Sequence, residues 1–144
     1  MFRVYVKEDV CIGCHLCEVF CQLEHSPSTD LVKAFKRGLP RPVSRIRAEA
    51  KGPVSFPVQC QQCREAPCVY ACLTGALSYD PARGVVEFDE ARCAGCWTCL
   101  LACPIGAIRQ DTGQGRVLKC DLCQGEEIPA CVANCPNEAL VLQR

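Results

Sequence analysis

The stretch CAGCWTCLLACPIGAI, Cys93–Ile108, carries four cysteines in eleven residues and then a proline. Two residues separate Cys93 from Cys96 and Cys96 from Cys99, and three separate Cys99 from Cys103. All 16 cysteines of the 144-residue chain fall into four groups of this kind. They are Cys11, Cys14, Cys17 and Cys21; Cys60, Cys63, Cys68 and Cys72; Cys93, Cys96, Cys99 and Cys103; and Cys120, Cys123, Cys131 and Cys135. Every group opens with C-x-x-C and closes with C-x-x-x-C, and only the middle gap changes. The flanks repeat too: VYVKEDVC before Cys11 aligns with VEFDEARC before Cys93, and PVQC before Cys60 with VLKC before Cys120. CLTGAL, CPIGAI and CPNEAL follow three of the closing cysteines. The chain is built on an internal repeat.

Apolar residues make up 49% of the chain when cysteine is counted, and about 38% when it is not. A chain this size with so few core side chains needs disulfides or metal to hold it. The N-terminus MFRVYVKEDVCIGC has neither an apolar secretory core nor a twin-arginine pair, so the expected compartment is the reducing cytoplasm rather than an oxidising one. No apolar run approaches eighteen residues, which argues against direct membrane insertion. Sixteen basic and sixteen acidic side chains cancel, and nothing points to nucleic acid. The balance is uneven, however. Lys33, Lys36, Arg37, Arg41, Arg45, Arg47 and Lys51 face Glu49 alone between Leu31 and Lys51.

Alternation predicts short strands at Arg3–Val6, Val85–Phe88 and Leu140–Leu142, and a hairpin from SRIRAE into VSFPVQ. Asp80–Gly84 and Asp111–Gly115 read as turns. Short helices are expected over His15–Leu23, Val69–Leu73, Trp97–Ala102 and Val132–Asn134. The fold class is therefore α+β and loop-rich.

Structural zinc takes four ligands at tetrahedral angles, usually as two well-separated pairs. Here a third thiol follows the second after two residues in two of the groups, which suits three corners of a cube. In two-cluster ferredoxins the run C-x2-C-x2-C-x3-C-P sends its fourth thiolate to the other cluster. Cys103 then serves a different cluster from Cys93, Cys96 and Cys99, and the prolines Pro104 and Pro136 match the pattern. The expected cofactors are four 4Fe–4S clusters, with zinc in the two irregular groups as the alternative. Spacing alone leaves the pairing of groups open, since the second and third, or the third and fourth, both make a contiguous unit.

With these ligand spacings over nearly its whole length, the chain resembles the four-cluster electron-transfer subunits of multi-subunit oxidoreductases. CIGCHLCEVFCQLEHS and KGPVSFPVQCQQCREAPCVYACLTGAL look most like its short soluble branch, which accompanies CO dehydrogenases and tungsten aldehyde oxidoreductases. The resemblance implies that outer groups pair with each other, as do inner ones, giving two ferredoxin-like dicluster modules in a pseudo-two-fold arrangement. The single unit 1–144 would then divide into an inner module, 58–110, an outer module from 1–25 plus 115–144, and a basic insertion, 26–57. One cluster would take Cys11, Cys14, Cys17 and Cys135, and a second Cys120, Cys123, Cys131 and Cys21. A third would take Cys60, Cys63, Cys68 and Cys103, and a fourth Cys93, Cys96, Cys99 and Cys72. Gln22 and Leu73 depart from the family by standing where a proline follows the closing cysteine. The implied partners are a catalytic tungsten, molybdenum or nickel–iron subunit and an FAD-containing NAD(P)H oxidoreductase.

Catalytic constellations are absent, so the chain is expected to carry electrons rather than catalyse. His15 and His25 read as neighbours of the ligands or surface groups, and Gly113-Gln114-Gly115 as a hairpin turn. Trp97, Tyr5, Tyr70 and Phe88 are expected to shield clusters from water. The basic insertion either offsets cluster charge, about −2 for each oxidised cluster, or docks an acidic partner. Three functions are consistent with these readings: a relay subunit, which includes hydrogenase and formate dehydrogenase complexes; a free polyferredoxin; and a zinc scaffold or cluster-binding sensor. Clusters at both ends of a pseudo-symmetric body would also permit stacking of copies into filaments.

Overall fold

A computed structural model describes residues 2–36 and 42–143. Arg37 and Arg41 of the basic insertion lie outside the described residues. Strand β1, Arg3–Val6, pairs antiparallel with β8, Leu140–Gln143, with Val4 opposite Leu142. The two ends of the described chain therefore close on one another. Three hairpins fill the interval: β2, Arg47–Lys51, with β3, Val54–Val58; β4, Leu77–Asp80, with β5, Val85–Phe88; and β6, Arg109–Asp111, with β7, Arg116–Leu118. Each sheet has two strands. Two-stranded ribbons are marginal alone, so they persist only through what they pack against.

Among the described residues, five short helices supply that packing: α1, Leu16–Glu24; α2, Leu31–Ala34; α3, Pro67–Tyr70; α4, Thr98–Ala102; and α5, Ala130–Ala133. Their starts have local causes. His15 and Trp97 each sit at φ 60°, outside helical space, so α1 and α4 begin one residue after the expected position. Pro67 opens α3 at a position where its missing N–H is not needed, and Pro129 precedes α5. These two helices thus start two residues earlier than periodicity suggested. Helix α2, which the sequence did not announce, is capped by the Asp30 carboxylate accepting from the Lys33 amide at 2.9 Å.

The buried apolar residues form two clusters, and cysteines belong to both. One comprises Ala66, Cys68, Leu77, Val86, Cys99, Ile108 and Val117. The other comprises Val4, Cys21, Ile46, Cys131 and Leu140. Phe88 packs against the first. The expectation that Tyr5 and Tyr70 join a core is corrected: they are 43% and 78% exposed. Tyr5 alternates with the buried Val4 along β1 and takes the opposite face. No described helix is long and apolar enough to cross a membrane.

Candidate metal centres

The sequence repeat is also a backbone repeat. A 3-10 turn leads into the first and third groups, with the Cys11 amide donating to the Glu8 carbonyl at 3.4 Å and the Cys93 amide to Glu90 at 3.2 Å. Inside those loops Gly13 and Gly95 take φ 64° and 65°, followed by His15 and Trp97 at 60°. Gln62 and Leu122 play the corresponding part in the other two groups, at 49° and 59°. Past three closing cysteines, Gly75, Gly106 and Glu138 are left-handed, and their amides return to the carbonyls of Cys72, Cys103 and Cys135. Left-handed residues inserted at these intervals curl the chain so that successive N–H groups turn inward, a geometry that favours anions. Two glycines are also sterically required. A Cβ at Gly95 would run into the carbonyl of Gly115, and one at Gly13 would stand 2.6 Å from Ser55 Oγ.

The thiols gather across groups rather than within them. One cavity is lined by Cys11, Cys14 and Cys17 together with Cys135 and Pro136. A second is lined by Cys60, Cys63 and Cys68 with Cys103 and Pro104. In a third, Cys93, Cys96 and Cys99 meet Cys72, and the half-buried Trp97 forms part of the wall. The remaining four, Cys21, Cys120, Cys123 and Cys131, are close enough for their charges to oppose one another's ionisation. Helix α1 packs on α5, and α3 on α4, which carries each closing cysteine across to the other group's loop.

Donors converge on sulfur. The Ala107 amide reaches Cys103 Sγ at 3.4 Å and the Ala139 amide Cys135 Sγ at 3.2 Å, the same bond in two repeats. The Arg45 amide, from the insertion, donates to Cys21 Sγ at 3.2 Å, and the Thr98 hydroxyl to Cys96 Sγ at 3.4 Å. Lys119 Nζ lies 3.9 Å from Cys60 Sγ. Beside Cys21, His25 donates through Nδ1 to the Cys21 carbonyl at 2.7 Å, and its Nε2 lies 3.2 Å from Asp121 Oδ1. Arg45 pairs with the same carboxylate. His15, by contrast, is a surface group 3.4 Å from Glu18.

These contacts set the acid–base character of the thiols. Burial pushes Cys17 and Cys120 up to about 12, and Cys68 and Cys123 up to about 11, with neighbouring thiols adding to each. Lys119 opposes the rise at Cys68 and Cys120. Burial would raise Cys21 as well, but His25 and the Arg45 amide bring it below the ordinary thiol value. Around His25, burial opposes the charge while Asp121 and Cys21 lift its pKa to about 10. Asp121 is held below the usual carboxylate range by His25 and Arg45 despite its burial.

The donor set fits an iron–sulfur cluster. Three of the four sulfur sets line cavities whose walls hold no carboxylate and, in His15 of the first, a single imidazole, and N–H groups aim at the sulfurs. Among the described residues, no group of three or more Cys, His, Asp or Glu closes on a point suited to one ion. A cage that surrounds a volume is the arrangement for a polynuclear group, since tetrahedral zinc needs its ligands about 2.3 Å from one centre. All 16 cysteines are free of disulfides. Of these thiols, Cys17, Cys68, Cys120 and Cys123 resist losing their protons, and bound iron would supply the compensating positive charge. Sequence reasoning passed over Lys119, Gln62 and Asp121, and met Arg45 only as one member of the basic run. The available signal was a lysine at the end of the apolar strand VLKC, directly before a cysteine.

Short helices, paired strands and thiol-lined loops define an α+β, ferredoxin-like fold. Residues 53–144 match the 4Fe-4S dicluster domain family, and the chain belongs to it. An iron-sulfur protein of Rhodospirillum rubrum is 37% identical over 153 residues, covering 95% of this chain and 79% of the relative. The polyferredoxin-like subunit of an aliphatic sulfonate oxidoreductase from Pyrococcus furiosus is 42% identical over 134 residues, 92% of this chain and 70% of its own. The electron transport protein HydN of Escherichia coli is 36% identical over 147 residues, 91% and 81% respectively. Among solved structures, the active-site complex BamBC of benzoyl coenzyme A reductase with benzoyl-CoA aligns over 99% of this chain and 79% of its own, with TM-score 0.53 and 22% identity. That likeness is one of fold.

Proposed function

We propose that the chain is an electron-relay subunit holding four 4Fe–4S clusters, one on each crossed set of cysteines: Cys11, Cys14, Cys17 with Cys135; Cys120, Cys123, Cys131 with Cys21; Cys60, Cys63, Cys68 with Cys103; and Cys93, Cys96, Cys99 with Cys72. The observation that carries this reading is the meeting of three thiols from one group with the closing thiol of another around a shared cavity. The closure of β1 on β8 and the presence of two separate buried clusters support an outer and an inner module.

The sites also fall into an order. The α1–α5 pair links the first and second sites, and α3–α4 the third and fourth. Cys120 and Cys60 lie within each other's field and link the second to the third. Cys14 and Cys96 are the exposed thiols, and they belong to the two end sites. A line of sites with accessible ends suits conduction between two partners. One partner is a catalytic metalloenzyme subunit, of tungsten, molybdenum or nickel–iron type, and the other a flavin subunit or soluble carrier. The subunit and electron-transport names borne by the relatives support this assignment.

The test is anaerobic purification followed by metal analysis and EPR of the reduced protein. About sixteen iron atoms per chain are expected. About eight iron atoms, or zinc at half the sites, would overturn the four-cluster reading.

A further inference from the structure

Lys119 has no place in ligation, yet it is buried at 3% exposure, and the other buried polar side chains described are Ser44, Gln59 and Gln62, none of them charged. Its Nζ donates to the Cys120 carbonyl at 2.6 Å and to Gln62 Oε1 at 3.3 Å, and faces Cys60 Sγ at 3.9 Å. Those contacts occupy the three N–H directions of an ammonium. None of the acceptors is a carboxylate, and no ion pair involves Lys119 among the described residues. A cation taken out of water without an opposing charge is strongly unfavourable. The opposing charge must lie in the two thiol sets between which Lys119 sits, one reached through Cys60 and the other adjoining at Cys120.

Gln62 fixes the ammonium in that position. It is fully buried, at 0% exposure. Its Nε2 donates to the Cys120 carbonyl at 2.9 Å, while Oε1 accepts from the Val86 amide at 2.9 Å as well as from Lys119. One amide therefore ties the loop of the second group, the loop of the fourth and strand β5 around the lysine. Such a mount holds a charge still, which a solvated surface lysine cannot do.

We infer that Lys119 is the shared counter-ion of the two central clusters and raises their reduction potentials. The inference rests on the four-cluster reading above. Each one-electron reduction adds a negative charge to its site, and a fixed positive charge beside that site favours the reduced form. Out of bulk solvent this attraction is weakly screened by salt. Because the same ammonium faces both sites, it also lowers the repulsion that an electron on one imposes on an electron arriving at the other. Lys119 is a tuning residue and Gln62 its positioning residue.

The test uses the full, cluster-loaded chain with Lys119→Gln, Lys119→Met and Lys119→Arg, titrated anaerobically and followed by EPR. In both neutral variants two of the four potentials should fall, with about a tenfold drop in the reduction equilibrium, or 59 mV for a one-electron couple. The other two should stay, and Lys119→Arg should hold all four near the parent values. Loaded neutral variants with four unchanged potentials overturn the inference. If the neutral variants lose iron from two sites while Lys119→Arg keeps it, the charge itself is required, as inferred. If Lys119→Arg loses it too, the side chain acts through shape and the inference falls. Failure of the four-cluster reading would appear separately, as too little iron in the parent protein before any variant is compared.

Discussion

Gly95→Ala and Gly106→Ala separate two costs that share one loop geometry. Both glycines take φ +65°. An alanine in left-handed space costs about 1–2 kcal/mol, and at Gly106, where nothing lies within 4 Å of the added Cβ, that is the whole effect. At Gly95 the Cβ also meets the carbonyl of Gly115. Gly115 belongs to the turn between β6 and β7, so its backbone cannot swing aside like a side chain, and displacing it adds roughly 2 kcal/mol. Strain of this kind is released when the native loop opens, so it accelerates opening. The assay is the rate at which visible cluster absorbance decays under a fixed chelator concentration, without oxygen. Gly106→Ala should decay about tenfold faster than the parent, and Gly95→Ala about thirtyfold faster again, at 1.36 kcal/mol per tenfold. Gly13→Ala should fall between them, because its obstacle is the Ser55 hydroxyl at 2.6 Å, which rotates. Equal rates for Gly95→Ala and Gly106→Ala would refute the reasoning.

Two further outcomes test the architecture. Cys103→Ser should perturb the same EPR signal as Cys60→Ser, while Cys72→Ser should match Cys93→Ser; a Cys103→Ser spectrum matching Cys93→Ser instead would mean that ligation stays within each group. Stripping the iron under anaerobic chelation should abolish cooperative thermal unfolding, because cysteines are members of both buried clusters and the remaining apolar side chains are too few to close a core of this size. An apoprotein that melts sharply at the parent temperature would contradict that.

The grouping of the candidate ligands was legible because it is written in local spacing. Cys93, Cys96 and Cys99 had to fall in one loop, and a three-residue gap to Cys103 sets that thiol on the far side of a short helix. Strands such as Arg3–Val6 and Val85–Phe88 were visible through alternation, and hairpin turns through Asp and Gly. Helix starts were not, since Trp97 and His15 adopt left-handed backbone, which is uncommon for any residue but glycine and which spacing does not signal. Nor was the pairing of groups legible from spacing, because contact between Cys72 and the third group, or between Cys21 and the fourth, is decided by packing of helices distant in sequence. Lys119 was hidden for a related reason. Its significance lies in Cys60, 59 residues away, and in isolation it is only a lysine at a strand end.

The insertion illustrates how packing changes the meaning of a charge run. As sequence it was a basic stretch either solvated or offered to a partner. In the fold, Arg45 pairs with Asp121, Arg47 with Glu49, and the Arg45 amide bonds to Cys21. The hairpin β2–β3 lies over the first group: the Ala48 amide donates to Glu18 at 2.6 Å, and Ala48 and Pro57 wall the cavity that holds Cys11, Cys14 and Cys17. Covering a site in this way lowers its access to water, one of the levers that sets cluster potential. Arg45 likewise anchors Asp121 beside Cys120, so the insertion reaches two of the four sites. Of the described basic residues, Lys33, Lys36 and Lys51 are left for counter-charge or docking. The segment that distinguishes this chain from a bare repeat thus packs first on the chain's own candidate metal sites, and any partner docking on its remaining lysines would meet a surface already tied to two of them.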